Sequence, residues 1–415
     1  MPFRFALIVC LVLCALRSSI AEDWPAFRGP TAQGISTEKN LPIRWDAETS
    51  VAWKVPVEGE GWSSPVLVKG KLYLTAAVAK SEAEKPDLSL RAMCFDAKTG
   101  TREWDVEVFV QEGATAPNIH SKNSHASPTP IVDGDRIYLH FGHQGTACLD
   151  LKGNTIWANR DIKYPPVHGA GCSPVLIDGK LIFSCDGASE PFVIALSVDD
   201  GKEVWRYMRQ GQAPKYFAFC TPLVIEVDGK KQVFSPGADQ ANSLDPETGK
   251  EIWTVRYSGY SLVCCPVYGH GMVYFSSCYD NPVVYAVKVD GQGDVTDTHV
   301  EWTLDKGAPN SPSLLLLDEE LYMVADNGVA TCVNALTGKS NWQKRVGGNF
   351  TSSPVFADGK IYLTDEEGKG LTMAPGKKFK ELGKSDLGER TLSSFAVGEG
   401  AIFARTANHL LRIQK

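Results

Sequence analysis

The chain has 415 residues, a formal net charge of −7 and 22% charged residues. That acidic balance, with no basic run along the chain, offers nucleic acid no electrostatic footprint and excludes it as a partner. Eleven cysteines in so long a chain exclude a disulfide-dense scaffold, while 38 glycines and ten tryptophans suit an all-β protein with many tight turns.

The first element reads as a leader. Arg4 supplies a positive start, Phe5 to Leu16 an apolar run, and Ser19-Ile20-Ala21 a small-residue cleavage site. The apolar run is shorter than the roughly 20 residues that span a bilayer. Residues 1–21 are therefore expected to be a signal peptide cut near Ala21, giving a periplasmic or secreted protein with no membrane span. Cleavage removes Cys10 and Cys14 and leaves nine cysteines, an odd number that implies a free thiol in a monomer. Residues 22–50 form a lead-in segment, and 51–415 carry the repeats.

A Ser/Thr/Cys-Pro pair, an apolar run, a Gly turn and an aromatic residue then recur. The copies begin at Ser64-Pro65, Ser127-Pro128, Ser173-Pro174, Thr221-Pro222, Cys265-Pro266, Ser311-Pro312 and Ser353-Pro354, with a degenerate one at Ser394-Phe395. The prolines, with Phe395 last, are 63, 46, 48, 44, 46, 42 and 41 residues apart. Such periods, each holding several short strands, predict propeller blades.

Each unit reads as four strands, A to D. Pro174 to Ile177 form strand A, Asp178-Gly179 a tight hairpin, and Lys180 to Phe183 strand B. Strand C ends in a small-apolar-Asp pattern such as Cys94-Phe95-Asp96. A turn ending in Gly follows, with Trp four residues later in Gly100/Trp104, Gly153/Trp157, Gly201/Trp205, Gly249/Trp253 and Gly338/Trp342. Trp53 lies in a D-like strand with no A, B and C before it, and Thr391 to Ile413 supply A, B and C with no D after them. Joining the ends completes an eighth blade and hides two sheet edges. The expected D positions are Trp53, Trp104, Trp157, Trp205, Trp253, Trp302, Trp342 and Phe379.

Asp96-Ala97-Lys98-Thr99-Gly100 to Trp104, and Asp245-Pro246-Glu247-Thr248-Gly249 to Trp253, resemble the repeat of the pyrroloquinoline-quinone (PQQ)-type propellers. That superfamily contains quinoprotein alcohol dehydrogenases and the BamB-like outer-membrane assembly lipoproteins. The resemblance implies an eight-bladed β-propeller whose tryptophans pack between blades. Asp23 to Pro30 also resembles the opening of secreted, planctomycete-type propellers. The leader departs from the lipoprotein pattern, since Leu13 and Val9 are bulky where a lipobox needs a small residue.

Function is expected on the face where D-to-A and B-to-C loops open around the central funnel. The D-to-A connection from Glu107 to Ala126 is long and carries His120, Lys122, Asn123 and His125; His168 ends the next such loop, and His143 and Asp186 belong to B-to-C turns. His120, Lys122, Asn123, His125, His168 and Asp186 form the candidate ligand-binding set, with a metal or acid–base site on His125, His143 and His168 as its sharper reading. His140 completes a group of five histidines. Asp186, Asp239, Asp280, Asp326 and Asp365 recur in B-to-C turns, as a carboxylate ring or as turn caps. Hairpin symmetry sets Cys172 opposite Cys185, a candidate disulfide, and Cys264-Cys265 form a candidate vicinal pair.

Three functions follow. The reading carried forward is a non-catalytic binding or assembly scaffold that takes a protein partner or small ligand at the funnel face. The alternative is a PQQ- and calcium-dependent dehydrogenase of alcohols or sugars, for which Asn123, Asp186, Lys215 and Trp62 are individual candidates joined by no motif. A further alternative is a metal-dependent enzyme built on the histidine rim.

Overall fold

Apolar residues crowd strands A to C of every repeat and thin out in strand D, so each unit buries three strands and leaves its outermost half wet. Lys180–Cys185 is buried along its whole length, whereas Glu203–Met208 of the same blade alternates with solvent. The computed structural model describes residues 22–46, 50–277 and 279–415. The expected leader lies outside them, as does Cys278. Among the described residues eight antiparallel sheets form a ring, seven four-stranded and one five-stranded, joined to almost no helix. The all-β, eight-bladed propeller expected from the repeats is the observed fold.

Local chemistry sets each blade. The A-to-B hairpins turn on two residues of positive φ, such as Asp178 (46°) with Gly179 (73°) and Asp358 (49°) with Gly359 (69°). This is the turn whose twist matches the flanking strands. In the C-to-D turns an Asp carboxylate caps the chain: Asp96 Oδ1 accepts the N–H groups of Lys98 and Thr99 at 3.1 and 2.9 Å, and Gly100 follows at φ 73°. The ring closes as expected. Val51–Pro56 pairs antiparallel with His409–Gln414, setting Val55 beside Leu410 and completing the eighth blade from both chain ends.

Blades are locked together at two radii. Near the outside, the D-strand indole of one blade lies on the C-to-D glycine of the next: a Cβ on Gly201 would sit 2.5 Å from Trp157, one on Gly249 2.6 Å from Trp205, and one on Gly100 2.8 Å from Trp53. The same indoles donate to the next blade's backbone, as Trp157 Nε1 does to Val198 O at 2.9 Å and Trp302 Nε1 to Ala335 O at 2.8 Å. The four-residue Gly–Trp spacing is thus an intrablade signature of an interblade contact. Trp253 is the exception. A parallel strand, Gly293–Asp294 from blade 5, covers it, and its indole donates to Gln232 Oε1 at 3.0 Å.

The structure corrects three positions in the repeat. Strand A of blade 2 starts at Ile131 and that of blade 6 at Leu315. The equivalents of Ser64-Pro65 are therefore Thr129-Pro130 and Ser313-Leu314, two residues beyond the Ser-Pro pairs read from sequence. In blade 7 the register pairs Thr372 with Gly383, as Cys332 pairs with Trp342 one blade earlier. Gly383, not Phe379, holds the tryptophan position. Phe379 packs on Trp342 edge to face instead, 5.3 Å between centroids.

The lead-in supplies what blade 7 lacks. A Cβ on Gly383 would meet Arg44 Cγ at 2.5 Å, and the buried Trp45 fills the space between Tyr362 and Phe395 of blades 7 and 8. Upstream, the same segment crosses the face formed by the A-to-B turns. Trp24 pairs with Leu67 of blade 1, Val132 N–H of blade 2 donates to Pro25 O, and Phe356 of blade 7 exchanges hydrogen bonds with Gly34 and Ser36. Arg28 is held at its centre by Leu314 O at 2.6 Å and Gln33 O at 2.7 Å. Burial lowers that guanidinium to about 10. The far end of the channel is thereby plugged.

His140 belongs to this scaffold, not to the rim. It is 3% exposed, bonds Thr146 Oγ1 through Nδ1 at 2.9 Å and lies 4.2 Å from the Phe183 ring in blade 3. Burial drives its pKa down to about 3.

Two outcomes test this packing. Gly201→Ala should cost about 2–4 kcal/mol in a denaturant titration, combining overpacking against Trp157 with a left-handed backbone. Gly179→Ala shares the positive φ but meets nothing within 4 Å, so it should cost only about 1 kcal/mol. Equal losses would remove the indole contact from the explanation. For His140, the unfolded chain takes up a proton near pH 6.5 that the folded chain refuses until about 3. Its contribution is complete above pH 6.5 and is lost as pH falls. The His140→Asn variant should flatten the Tm profile between pH 6.5 and 4; an unchanged slope rules this residue out as a carrier.

Candidate functional site

The inner ends of the A strands form a belt. The backbone N–H of Ser64 donates to Thr129 Oγ1 at 3.0 Å, Thr129 N–H to Ser173 Oγ at 2.9 Å and Ser173 N–H to Thr221 Oγ1 at 3.0 Å. Cys265, Ser313 and Ser353 continue the chain to Ser313, Ser353 and Ser394 at 3.1, 3.0 and 2.9 Å. One small polar side chain per blade turns an oxygen, or in Cys265 a sulfur, toward the axis, and all but Ser64 also bind the neighbouring blade. Above the belt opens a cavity of about 290 Å³, with Phe27 of the lead-in reaching it from the plugged side. That volume is at the small end of ligand pockets.

Aromatic rings wall the cavity. His120 and His168 meet edge to face at 5.6 Å; His168 touches Phe217 at 5.5 Å, and Phe217 touches Tyr260 at 5.5 Å. Tyr279 closes on His120 at 6.4 Å, and Trp62 lies under the Arg390 guanidinium at 5.5 Å. The long connection after blade 1 folds across the mouth. Its Asn123 Nδ2 donates to His168 O at 2.8 Å, and its Lys122 ammonium reaches Asp326 of blade 6 at 3.2 Å and Glu366 of blade 7 at 2.9 Å. Arg390 Nη2 holds it from blade 8's side through Ser121 O at 3.0 Å. Hydrogen bonds and attraction to the two carboxylates raise the Lys122 pKa against the opposing effect of burial.

The two lysines at the mouth are matched. Lys122 has two carboxylates, and Lys215 Nζ bonds Tyr260 OH at 3.0 Å, which in turn donates to Asp280 Oδ2 at 2.6 Å. Ser64 is different. It is 2% exposed, borders the cavity, and its hydroxyl oxygen has no partner. An orphaned buried hydroxyl facing a cavity is a standing hydrogen-bond vacancy.

Of the candidate residues, the structure brings together His120, Lys122, Asn123 and His168. His125 stays outside the lining, half-buried, and burial lowers its pKa. His143 is likewise withdrawn: it bonds Gln144 Nε2 at 2.9 Å, packs on Tyr164, and burial holds it down near 4. Asp186 is also off the funnel. Its side chain is fully buried against Arg209, with Oδ1 2.9 Å from Nε, and loss of water raises its pKa against the pull of that guanidinium. The aspartates of the B-to-C turns act singly: Asp239 accepts Gln212 N–H at 2.6 Å and Asp365 caps Lys369 N–H at 2.9 Å. Cys172, Cys185, Cys264 and Cys265 are all free, buried thiols. The ladder of blade 3 begins only at Val175, and Cys172 Sγ accepts the Ser184 N–H at 3.4 Å instead of bridging to Cys185.

Sequence reading missed Phe217, Tyr260 and Tyr279. They carry no repeated signature, because loops that line the funnel escape the packing that fixes the strands.

A calcium-held quinone does not fit this lining. Such a site needs convergent anionic and amide oxygens, and the oxygens here are spent on Lys122, Tyr260 and the turns. Among the described residues no three His, Cys, Asp or Glu side chains converge as metal ligands, which also removes the support for the histidine-rim metal site. No helix among them is long and apolar enough to cross a membrane.

Known proteins share this architecture. A curated relative, outer membrane protein assembly factor BamB of Salmonella typhimurium, is 39% identical over 75 residues, a match spanning 18% of this chain and 17% of the relative. The crystal structure of BamB from Moraxella catarrhalis aligns with a TM-score of 0.61 at 15% identity, over 88% of this chain and 97% of that one. A europium-containing methanol dehydrogenase gives 0.55 at 11% identity, over 93% and 90% of the two chains. A quinohemoprotein alcohol dehydrogenase from Pseudomonas putida HK5 gives 0.54 at 13%, over 94% and 80%. At such identities the solved structures share the fold alone. The family model described as outer membrane protein assembly factor BamB matches residues 25–165, 165–315 and 302–408 in succession, and the chain belongs to that family.

Proposed function

We propose that this protein is an exported binding or assembly scaffold, and that the funnel takes an uncharged, hydrogen-bonding group from a protein partner or a small ligand. The observation that carries this reading is the charge matching at the mouth. Lys122 and Lys215 are both answered by carboxylates, directly or through Tyr260, so neither lysine is free to hold an anionic cofactor. Aromatic faces and belt hydroxyls suit a ligand with an apolar side and polar edges. Membership of a family described as an assembly factor favours a protein partner. Export rests on the leader over residues 1–21.

The competing reading is the quinone-dependent dehydrogenase, and calorimetry separates the two. Titrating the protein with pyrroloquinoline quinone and calcium should give no saturable heat. One-to-one binding in the micromolar range that disappears in His168→Ala would sink the scaffold reading. The double variant His120→Ala/His168→Ala should keep its unfolding free energy within about 0.5 kcal/mol, as rim substitutions do, yet lose capture of any partner bound by the parent protein. Lys122→Ala should speed amide exchange over residues 116–126 while leaving the blades protected. Unchanged exchange there would show that the ion pairs do not hold the crossing loop.

A further inference from the structure

The polar belt changes chemistry in one blade. Seven blades place a hydroxyl there, from Ser64, Thr129, Ser173, Thr221, Ser313, Ser353 and Ser394, and blade 5 places the thiol of Cys265. Its backbone N–H donates to Ser313 Oγ as the N–H groups of Ser64, Thr129, Ser173, Ser313 and Ser353 donate to the hydroxyl of the next blade, and its sulfur faces the Thr221 N–H where the others present oxygen. Packing therefore gives no reason for sulfur at this position. Cys265 borders the cavity, so a small molecule in the funnel reaches it.

Two further groups meet that sulfur. The Cys220 thiol of blade 4 sits at the blade 4–blade 5 seam, where it donates to Cys264 O at 3.1 Å, the carbonyl bonded to the Cys265 nitrogen. Arg28 is buried close by, with its Nε unpartnered. The adjacent Cys220 thiol, then Arg28 and Thr221, draw the Cys265 pKa down to about 6 against burial. The neighbouring Cys264 is driven the other way, to about 12, by burial. Cys94, Cys148, Cys172, Cys185 and Cys332 are likewise raised by burial.

We propose that Cys265 and Cys220 are an oxidisable dithiol in the funnel floor, with hydroperoxides as the oxidant class, Cys265 as the attacking sulfur and Cys220 as the resolving one. The Cys265 thiolate attacks a peroxide oxygen; the O–O bond breaks, and the departing oxygen leaves as water or an alcohol after taking a proton. Cys265 is then a sulfenic acid. The Cys220 sulfur attacks it, the S–O bond breaks, and hydroxide leaves as water with the Cys220 proton. Two thiols are oxidised to one disulfide across the seam of blades 4 and 5, and one peroxide is reduced. The proposal does not depend on what the funnel binds.

Peptide mapping tests it. The folded protein is treated with stoichiometric hydrogen peroxide, alkylated and digested without reductant. A Cys220–Cys265 peptide, two thiols lost and both restored by dithiothreitol are expected. Cys265→Ser restores the hydroxyl of the other seven blades, so it should fold and keep all its remaining thiols. Cys220→Ser should stop at the sulfenic acid and carry dimedone on Cys265. An unchanged thiol count under conditions that oxidise glutathione overturns the proposal, as does a bridge from Cys265 to Cys264 or Cys278. Dimedone on another cysteine in Cys220→Ser overturns it as well.

Discussion

An indole laid on a glycine is the contact on which the ring depends. Apart from the Gly293–Asp294 strand laid on blade 4, neighbouring blades share no backbone ladder, so each other D edge needs another hold on the next sheet. Six of the seven D-strand tryptophans donate to a carbonyl in the following blade's turn. Five glycines there leave room for the ring face, each with a virtual Cβ within 3.2 Å of an indole. The left-handed turn and the bare Cα are one requirement, because the turn brings the backbone under the ring and a side chain would push the ring away. Large apolar area is buried with only the blade 4 edge paired among the D strands.

The axial belt completes the lock from inside. Its hydroxyls satisfy backbone N–H groups that the short A strands leave over, a need any propeller centre must meet. Because the belt is polar, the channel floor is polar as well. The funnel inherits its chemistry from a structural demand, and the aromatic rim is added by loops that the ring holds still. The lead-in segment joins the two roles. It closes the channel with Phe27 and Arg28, and with Arg44 and Trp45 it stands in where blade 7 has Gly383.

Departures from the repeat follow the same logic. Trp253 lacks a C-to-D glycine opposite it and is covered by an extra strand instead. Gly383 lacks an indole and is covered by the lead-in. Thr129-Pro130 and Ser313-Leu314 take the belt positions although Ser127-Pro128 and Ser311-Pro312 look more like the motif. Hydroxyl placement, not the Ser-Pro dipeptide, is what the neighbouring N–H selects.

By itself the sequence determined the class, the blade count and the closure, because strand alternation, Asp-Gly hairpins and the Gly–Trp spacing are local and repeat every turn of the ring. It also marked the long connection with His120, Lys122 and Asn123, which length alone singles out. Only the tertiary structure decided which loop residues meet. His168 and His125 looked equivalent along the chain, yet one joins the aromatic wall and the other turns aside. Asp186 looked like a rim carboxylate and is instead consumed by Arg209, which follows the outermost strand of the same blade. Lys122 finds its carboxylates more than 200 residues away, across the mouth. Periodic packing is written in neighbouring residues, whereas charge pairing across a funnel depends on distances that exist only once the ring has closed.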